Sequence, residues 1–173
     1  MLRGRKVRLR APEREDLPLF VRWLNDTEVT RYLTLYWPLS MAEEEQWFEN
    51  LLKRENDRVF VIETEEGKPI GNMGLHNIDW KNRKAVLGIF IGEKDYWGKG
   101  YGTDAIKTLL RFAFEELNLN RVELRVFEFN TRAIRCYEKC GFVTEGRLRQ
   151  SLFRNGRYHD ELVMAVLREE WKV

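Results

Sequence analysis

Between residues 86 and 117 the sequence permits few local architectures. Val86-Leu87-Gly88-Ile89-Phe90-Ile91 is apolar and uncharged throughout, the pattern of a strand buried on both faces. Ala105, Ile106, Leu109, Leu110, Ala113, Phe114 and Leu117 then recur at helical spacing. Between strand and helix lies Trp97-Gly98-Lys99-Gly100-Tyr101-Gly102-Thr103. Alternate glycines strip side chains from the backbone there, so that successive N–H groups and a helix N-terminus converge on one point. Such a junction holds phosphate. Val122, Leu124 and Val126 mark the next strand, so the unit from Val86 to Phe127 predicts a right-handed parallel crossover.

Spacing narrows the ligand. A P-loop ends Gly-Lys-Ser/Thr, whereas here Lys99 precedes Gly100 and no lysine stands before Thr103. A dinucleotide loop reads G-x-G-x-x-G, with an acid at a strand tip about 20 residues on. Here the spacing is G-x-G-x-G, and Glu123 falls inside the next strand. Both familiar nucleotide loops fail, and a mere turn has no need of glycine at 98, 100 and 102.

The rest of the chain reads as mixed α/β. Lys6 to Arg10 alternates as a strand, and Glu13 to Leu24 predicts a helix burying Leu17, Phe20, Val21 and Leu24. A short helical piece follows at Glu28–Tyr32. Ser40-Met41-Ala42-Glu43 is a capping box opening a helix to about Arg54, with Trp47, Phe48, Leu51 and Leu52 inward. Val59 to Thr64 and Pro69 to Ile78 flank a turn at Glu65–Lys68. Asn130 caps a short helix with Ala133, Ile134 and Tyr137, which Gly141 closes. Asn155-Gly156 then joins Phe142–Phe153 to Arg157–Leu167 as a hairpin. The expectation is one domain, 1–173, with a mostly antiparallel central sheet, one parallel strand–helix–strand unit and helices on both faces.

A net charge of +2, from 30 basic and 28 acidic residues, implies no nucleic-acid partner. No apolar run approaches a membrane span, and the basic N-terminus lacks the apolar stretch of a signal peptide, so a cytoplasmic protein without a membrane partner is expected. Cys136 and Cys140 stand four apart on a helix, awkward for a bridge, with no histidine pattern for a metal; buried reduced thiols and no metal site are expected.

Gly98-Lys99-Gly100-Tyr101-Gly102-Thr103 resembles the pyrophosphate loop of the GNAT N-acetyltransferases. The resemblance extends further, to Trp23-Leu24-Asn25-Asp26 with Val29 and Tyr32. It includes Asn130-Thr131-Arg132-Ala133 with Tyr137-Glu138-Lys139-Cys140-Gly141-Phe142. It takes in Glu145-Gly146 and Phe153-Arg154-Asn155-Gly156-Arg157-Tyr158-His159-Asp160. In these stretches the chain is similar to the branch containing ribosomal-protein N-terminal (alanine) acetyltransferases and related small-amine acetyltransferases. The resemblance implies acetyl-coenzyme A as cosubstrate. By it, the backbone of Phe90, Ile91 and Gly92 would pair with the pantetheine arm. Trp97, Gly98, Lys99, Gly100, Tyr101, Gly102 and Thr103 would hold the pyrophosphate. Asn130 would contact the cofactor or an ordered water, Ala133 would lie on the cofactor side, and Tyr137 would protonate the departing thiolate. The family commonly has Arg or Gln where Trp97 stands. Homodimers are frequent among relatives.

The physical case for Tyr137 is separate. Its helix follows the strand parallel to the loop strand, so both segments converge on one crevice. A phenol of pKa about 10 keeps its proton at pH 7 and can donate it to a thiolate of pKa about 8.5. The competing reading is a buried Tyr held by a structural hydrogen bond.

The acceptor is less legible. A lysine-like amine needs roughly 4–5 kcal/mol to lose its proton at pH 7, whereas an α-amine near 7.7–8 needs only about 1. Many relatives carry a Glu where Val86 stands, and polyamine-acetylating relatives an acid near Gly74; both are absent. An α-amine, or an amine deprotonated through a water chain, is the easier fit, with direct transfer and no acyl-enzyme. A polyamine acetyltransferase and a non-catalytic acetyl-coenzyme A or ribosome-binding module are the alternatives. His76, Glu28 and Asp160 are the base candidates. Trp37 and Trp80 are either loop packing or the wall of an acceptor groove.

Overall fold

The computed structural model describes residues 1–172. Its strands are β1 (Leu2–Arg3), β2 (Val7–Arg10), β3 (Arg58–Thr64), β4 (Pro69–Asp79), β5 (Lys84–Ile91), β6 (Arg121–Phe127), β7 (Val143–Arg154) and β8 (Arg157–Leu167). Its helices are α1 (Leu17–Leu24), α2 (Thr27–Thr30), α3 (Met41–Lys53), α4 (Tyr101–Glu115) and α5 (Thr131–Lys139). The strands form one eight-stranded sheet in the order β1-β2-β3-β4-β5-β6-β8-β7, in which β5–β6 is the parallel pair. No helix among the described residues is long and apolar enough to cross a membrane.

Strand alternation divides the core between two faces. Met73, Leu75, Ala85, Leu87, Val122, Leu124, Val126, Met164 and Val166 pack with Ile106, Leu109, Leu110 and Phe114 of α4. Opposite, Val61 and Phe90 meet Leu17, Phe20 and Trp23 of α1 and Phe48 of α3. At the far edge, Asn155 (φ +54°) and Gly156 (φ +73°) turn the β7–β8 hairpin, both in the left-handed region that its tight turn demands.

Several boundaries and faces differ from expectation. The first helix opens as a 3₁₀ turn at Arg14–Asp16 before Pro18 lets α1 proceed. Trp23 is buried, whereas Val21 and Leu24 are only half-buried, because the helix turns its widest ring onto the end of β5. On α3, Leu52 is 64% exposed, and Phe48 and Leu51 alone of the predicted quartet are buried. Its place inside is taken by Glu44, 4% exposed, whose carboxyl burial pushes up to about 7.

That carboxyl makes stability depend on pH. Folding favours its neutral form, so the penalty is absent below the unfolded value near 4.5, grows as pH rises, and is complete above about 7. Glu44→Gln should leave Tm unchanged at pH 3.5, below the unfolded value. At pH 8.5 it should raise Tm by roughly 4–8 °C, corresponding to about 2 kcal/mol once residual solvent contact is discounted. Thermal melts at the two pH values check this, and equal shifts at both would contradict it.

Candidate active site

The site begins where the sheet comes apart. β5 and β6 pair only at Lys84–Arg121, Ala85–Val122 and Val86–Glu123. Beyond Val86, β5 stays with β4 as far as Ile91, while β6 follows β8. The cleft of about 780 Å³ that results is lined by Leu87–Ile91 on one side and Arg125–Phe127 on the other.

Hydrogen-bond parity decides which backbone groups face this gap. Gly92 N–H donates to the Ile70 carbonyl at 2.7 Å, so the backbone of Gly88, Phe90 and Gly92 is directed at β4. The polar groups of Ile89 and Ile91 therefore point into the gap. Of the expected trio Phe90, Ile91 and Gly92, only Ile91 presents its backbone there, and Ile89 joins it. Phe90 lines the cleft, but Gly92 does not. A Cβ on Gly92 would lie 2.2 Å from the Trp23 ring, so this glycine exists for helix-to-strand packing.

The glycine loop closes the cleft's other end. Gly98 (φ +70°) and Gly100 (φ +86°) occupy left-handed conformations. Among the described residues, the N–H groups from Gly98 to Thr103 find no backbone acceptor; the first satisfied is Asp104, on the Gly100 carbonyl at 3.1 Å. Free donors at the positive end of α4 are an anion cradle. The Asp104 carboxylate braces it from behind, accepting the N–H groups of Arg5 (3.1 Å), Lys6 (2.7 Å) and Val7 (3.1 Å). Lys6 Nζ donates to the Lys99 carbonyl at 2.9 Å, and Lys99 contributes its N–H to the loop while not lining the cleft. The Trp97 indole N–H donates to the Ile91 carbonyl at 2.8 Å, and the Arg132 guanidinium sits 4.5 Å over its ring.

Helix α5 delivers the third component. Asn130 Oδ1 accepts the Ala133 N–H at 3.3 Å, so its carbonyl caps the helix, and Asn130, Ala133 and Tyr137 all line the cleft. The helix ends in a Schellman motif: Gly141 (φ +97°) donates to the Glu138 carbonyl and Phe142 to that of Tyr137, both at 3.0 Å. The accompanying apolar contact is Tyr137 against Phe142, ring centroids 5.9 Å apart. Tyr137 is thus fixed by its own helix terminus. Burial, and then the neighbouring Cys136 sulfur, push its phenol well above the ordinary range, so it holds its proton at every working pH. Its hydroxyl has no protein hydrogen-bond partner among the described residues.

The cysteines do not match the expectation that both are buried. Cys140 is buried, but Cys136 is half-buried and lines the cleft, its sulfur 3.2 Å from the Thr103 hydroxyl. Hydrogen bonds from the Cys140 thiol and that hydroxyl lower the Cys136 thiol below its usual range, and Cys140 rises correspondingly. Among the described residues no group of three His, Cys, Asp or Glu could hold a metal ion.

The base candidates separate cleanly. Glu28 is exposed beside Lys94 Nζ at 3.4 Å. Asp160 is committed to Arg147 at 2.7 Å and to the Gln150 N–H at 2.8 Å. His76 stands directly opposite Val86 in the β4–β5 register. Its Nε2 would be 3.0 Å from a Cβ at Gly74 and 3.5 Å from one at Gly88, so the imidazole lies against Gly88, which lines the cleft, while His76 itself does not line it. Burial holds His76 below the usual imidazole range, partly offset by Asp57, whose Oδ1 lies 3.8 Å from Nδ1. Trp37 and Trp80 are exposed and do not line the cleft.

The sequence reading missed Arg125 and Glu161, both in the lining. Alternation with buried Val122, Leu124 and Val126 is the signal for Arg125; Glu161 needs the β6–β8 register, which sets it beside Phe127. It also missed Arg154, whose guanidinium donates to the carbonyls of Thr30, Arg31 and Leu33 at 3.1, 3.0 and 2.6 Å and so holds the cleft's outer wall.

A family model described as an acetyltransferase (GNAT) domain matches residues 6–143. The spermidine N(1)-acetyltransferase of Vibrio cholerae is 33% identical over 170 residues, 96% of this chain and 95% of that protein. The Bacillus subtilis protein YdaF, provisionally named a ribosomal N-acetyltransferase, is 40% identical over 107 residues, 62% of this chain and 58% of its own length. Among solved structures, spermidine N-acetyltransferase from Vibrio cholerae in complex with CoA and spermine superposes with a TM-score of 0.89 at 33% identity, covering 95% of this chain and 96% of that one.

Proposed function

The chain belongs to the GNAT acetyltransferase family, an N-acetyltransferase fold, and we propose that it acts as one domain moving acetyl from acetyl-coenzyme A directly to a primary amine. The observation that carries this reading is the meeting of three groups at one cleft: the open N–H donors of residues 98–103, the gap-facing backbone of Ile89 and Ile91, and the unpaired Tyr137 hydroxyl. The donors fit a pyrophosphate, and the strand edge fits an extended amide-bearing arm. Acetyl-coenzyme A supplies an activated thioester when bound. Ile89 and Ile91 orient the arm, the loop and Arg132 hold its charged end, and Tyr137 gives its proton to the sulfur as the C–S bond breaks.

We assign the base to His76. The position opposite it, Val86, lacks the carboxylate that relatives use, and the imidazole is neutral at pH 7 and lies against Gly88, which lines the cleft. It takes the amine proton directly or through one water. Because His76 is held below 6.5, its basic form dominates above that pH, and kcat/KM should fall as pH drops through the lowered value. His76→Gln should lose about 10²-fold at pH 7.5 and with it that acidic limb; coincident pH profiles of parent and variant would remove His76 from the mechanism.

The preferred acceptor is an amine that deprotonates readily. A polyamine is the second reading, favoured by the spermine-bound neighbour. Thiol release across N-terminal peptides, polyamines, amino sugars and amino acids tests both. Coenzyme A binding without release from any amine would leave only a binding module.

A further inference from the structure

Among the described residues Arg125 is the one guanidinium on the strand wall of the cleft, and its side chain has no partner. It lies two residues past Glu123, where β6 leaves β5, and five before Asn130. Its neighbours Leu124 and Val126 are buried toward α4, so Arg125 projects from the opposite face, the face shared by Gly88 and Phe90. It is exposed, and among the described residues no carboxylate lies within 4.0 Å of its guanidinium and no hydrogen bond reaches its side chain. Two neighbouring arginines are paired instead: Arg121 on β6 with Glu123 and Glu145 at 2.8 and 2.7 Å, and Arg147 on β7 with Glu128 and Asp160 at 2.8 and 2.7 Å.

The charge balance of the cleft points the same way. Its lining holds Arg125, Arg132, Arg135 and Lys139 against a single carboxylate, Glu161, whose Oε1 already accepts the Ser151 hydroxyl at 2.9 Å. The three cations on α5 adjoin the phosphate loop and answer to a phosphorylated cofactor. Arg125 does not, because it stands on β6, two residues beyond the last β5–β6 pair, at the strand-pairing end of the cleft. A guanidinium there repels a polycation and offers a planar fork to a carboxylate.

We infer that Arg125 reads an anion on the acceptor, which is therefore a small amine carrying a carboxylate close to the amino group. The inference rests on the transferase reading above. Both sources of this chemistry, a free amino acid and a short peptide with an acidic second residue, place the carboxylate within reach of Arg125 while the amine faces Gly88.

The test is thiol release from acetyl-coenzyme A by matched acceptors: free L-amino acids, their amides, their decarboxylated amines, dipeptides with Asp or Glu second, and spermidine. The parent should prefer carboxylated acceptors to their decarboxylated partners by at least 10²-fold in kcat/KM. Arg125→Gln should collapse that ratio to within about 3-fold, mainly through KM, and Arg125→Lys should restore part of it. Amino acids or acidic dipeptides leading the ranking identifies the source. Preference for spermidine or for the decarboxylated amines, or a ratio unmoved in Arg125→Gln, overturns the inference while leaving the acetyltransferase in place. Coenzyme A binding with no release from any acceptor overturns the transferase reading, and this inference with it.

Discussion

Replacing Tyr137 by Phe is expected to lower kcat by roughly 10²–10⁴-fold while cofactor affinity and Tm stay near those of the parent. The hydroxyl has no protein partner, so its removal orphans no buried group, and the ring keeps its packing on Phe142. What is lost is the proton given to the departing sulfur. Burial that raises the phenol raises a thiolate beside it too, so the two remain matched and the transfer stays close to balanced. An interaction made only in the transition state lowers kcat and kcat/KM together, with KM for both substrates little changed. Since Tyr137 keeps its proton throughout the working range, the variant should retain the acidic limb assigned to His76. Thiol release near the parental rate with a good acceptor would reduce Tyr137 to a core residue, the structural alternative that its 9% exposure also permits.

How far the sequence speaks depends on the range of the signal. The Asn130 cap, the Gly141 terminus and the Asn155-Gly156 turn are written in residues at most a few positions apart, and each stands where the pattern puts it. The parallel crossover is also legible, because an apolar strand, a helix and a second strand in that order allow one economical connection. The backbone facing the cofactor is different. Whether Phe90 or Ile89 turns its N–H to the gap depends on which residue bonds Ile70, a choice made by a strand some twenty positions away. Trp23 is buried in preference to Leu24 because Gly92, far off in the chain, leaves a surface flat enough for an indole. Arg125, Glu161 and His76 acquire their relation to the cleft only through cross-strand register, the long-range quantity that composition and periodicity do not carry.

Register also explains why the glycine loop can be probed without disturbing the fold, and Gly102→Leu is the variant that exploits it. A side chain at Gly98 or Gly100 would be strained by its left-handed backbone, and one at Gly92 would collide with Trp23. At Gly102 the backbone is ordinary and an added Cβ meets nothing within 4 Å. Gly102 lines the cleft, so the open space that the added Cβ meets is the space a ligand would take. In the first turn of α4, leucine in place of glycine removes about 0.5–1 kcal/mol of backbone entropy cost. Tm of the unliganded variant should therefore stay level or rise by roughly 1–3 °C. Coenzyme A affinity should move the other way. Each charged hydrogen bond from the loop to a pyrophosphate contributes about 1.5–3 kcal/mol, so forfeiting one or two raises Kd by roughly 10–10⁴-fold. Calorimetry with coenzyme A, set beside a thermal melt, reads both effects. Parental affinity in a well-folded Gly102→Leu protein would move the phosphate site away from residues 98–103, and the orphan N–H groups there would need another partner.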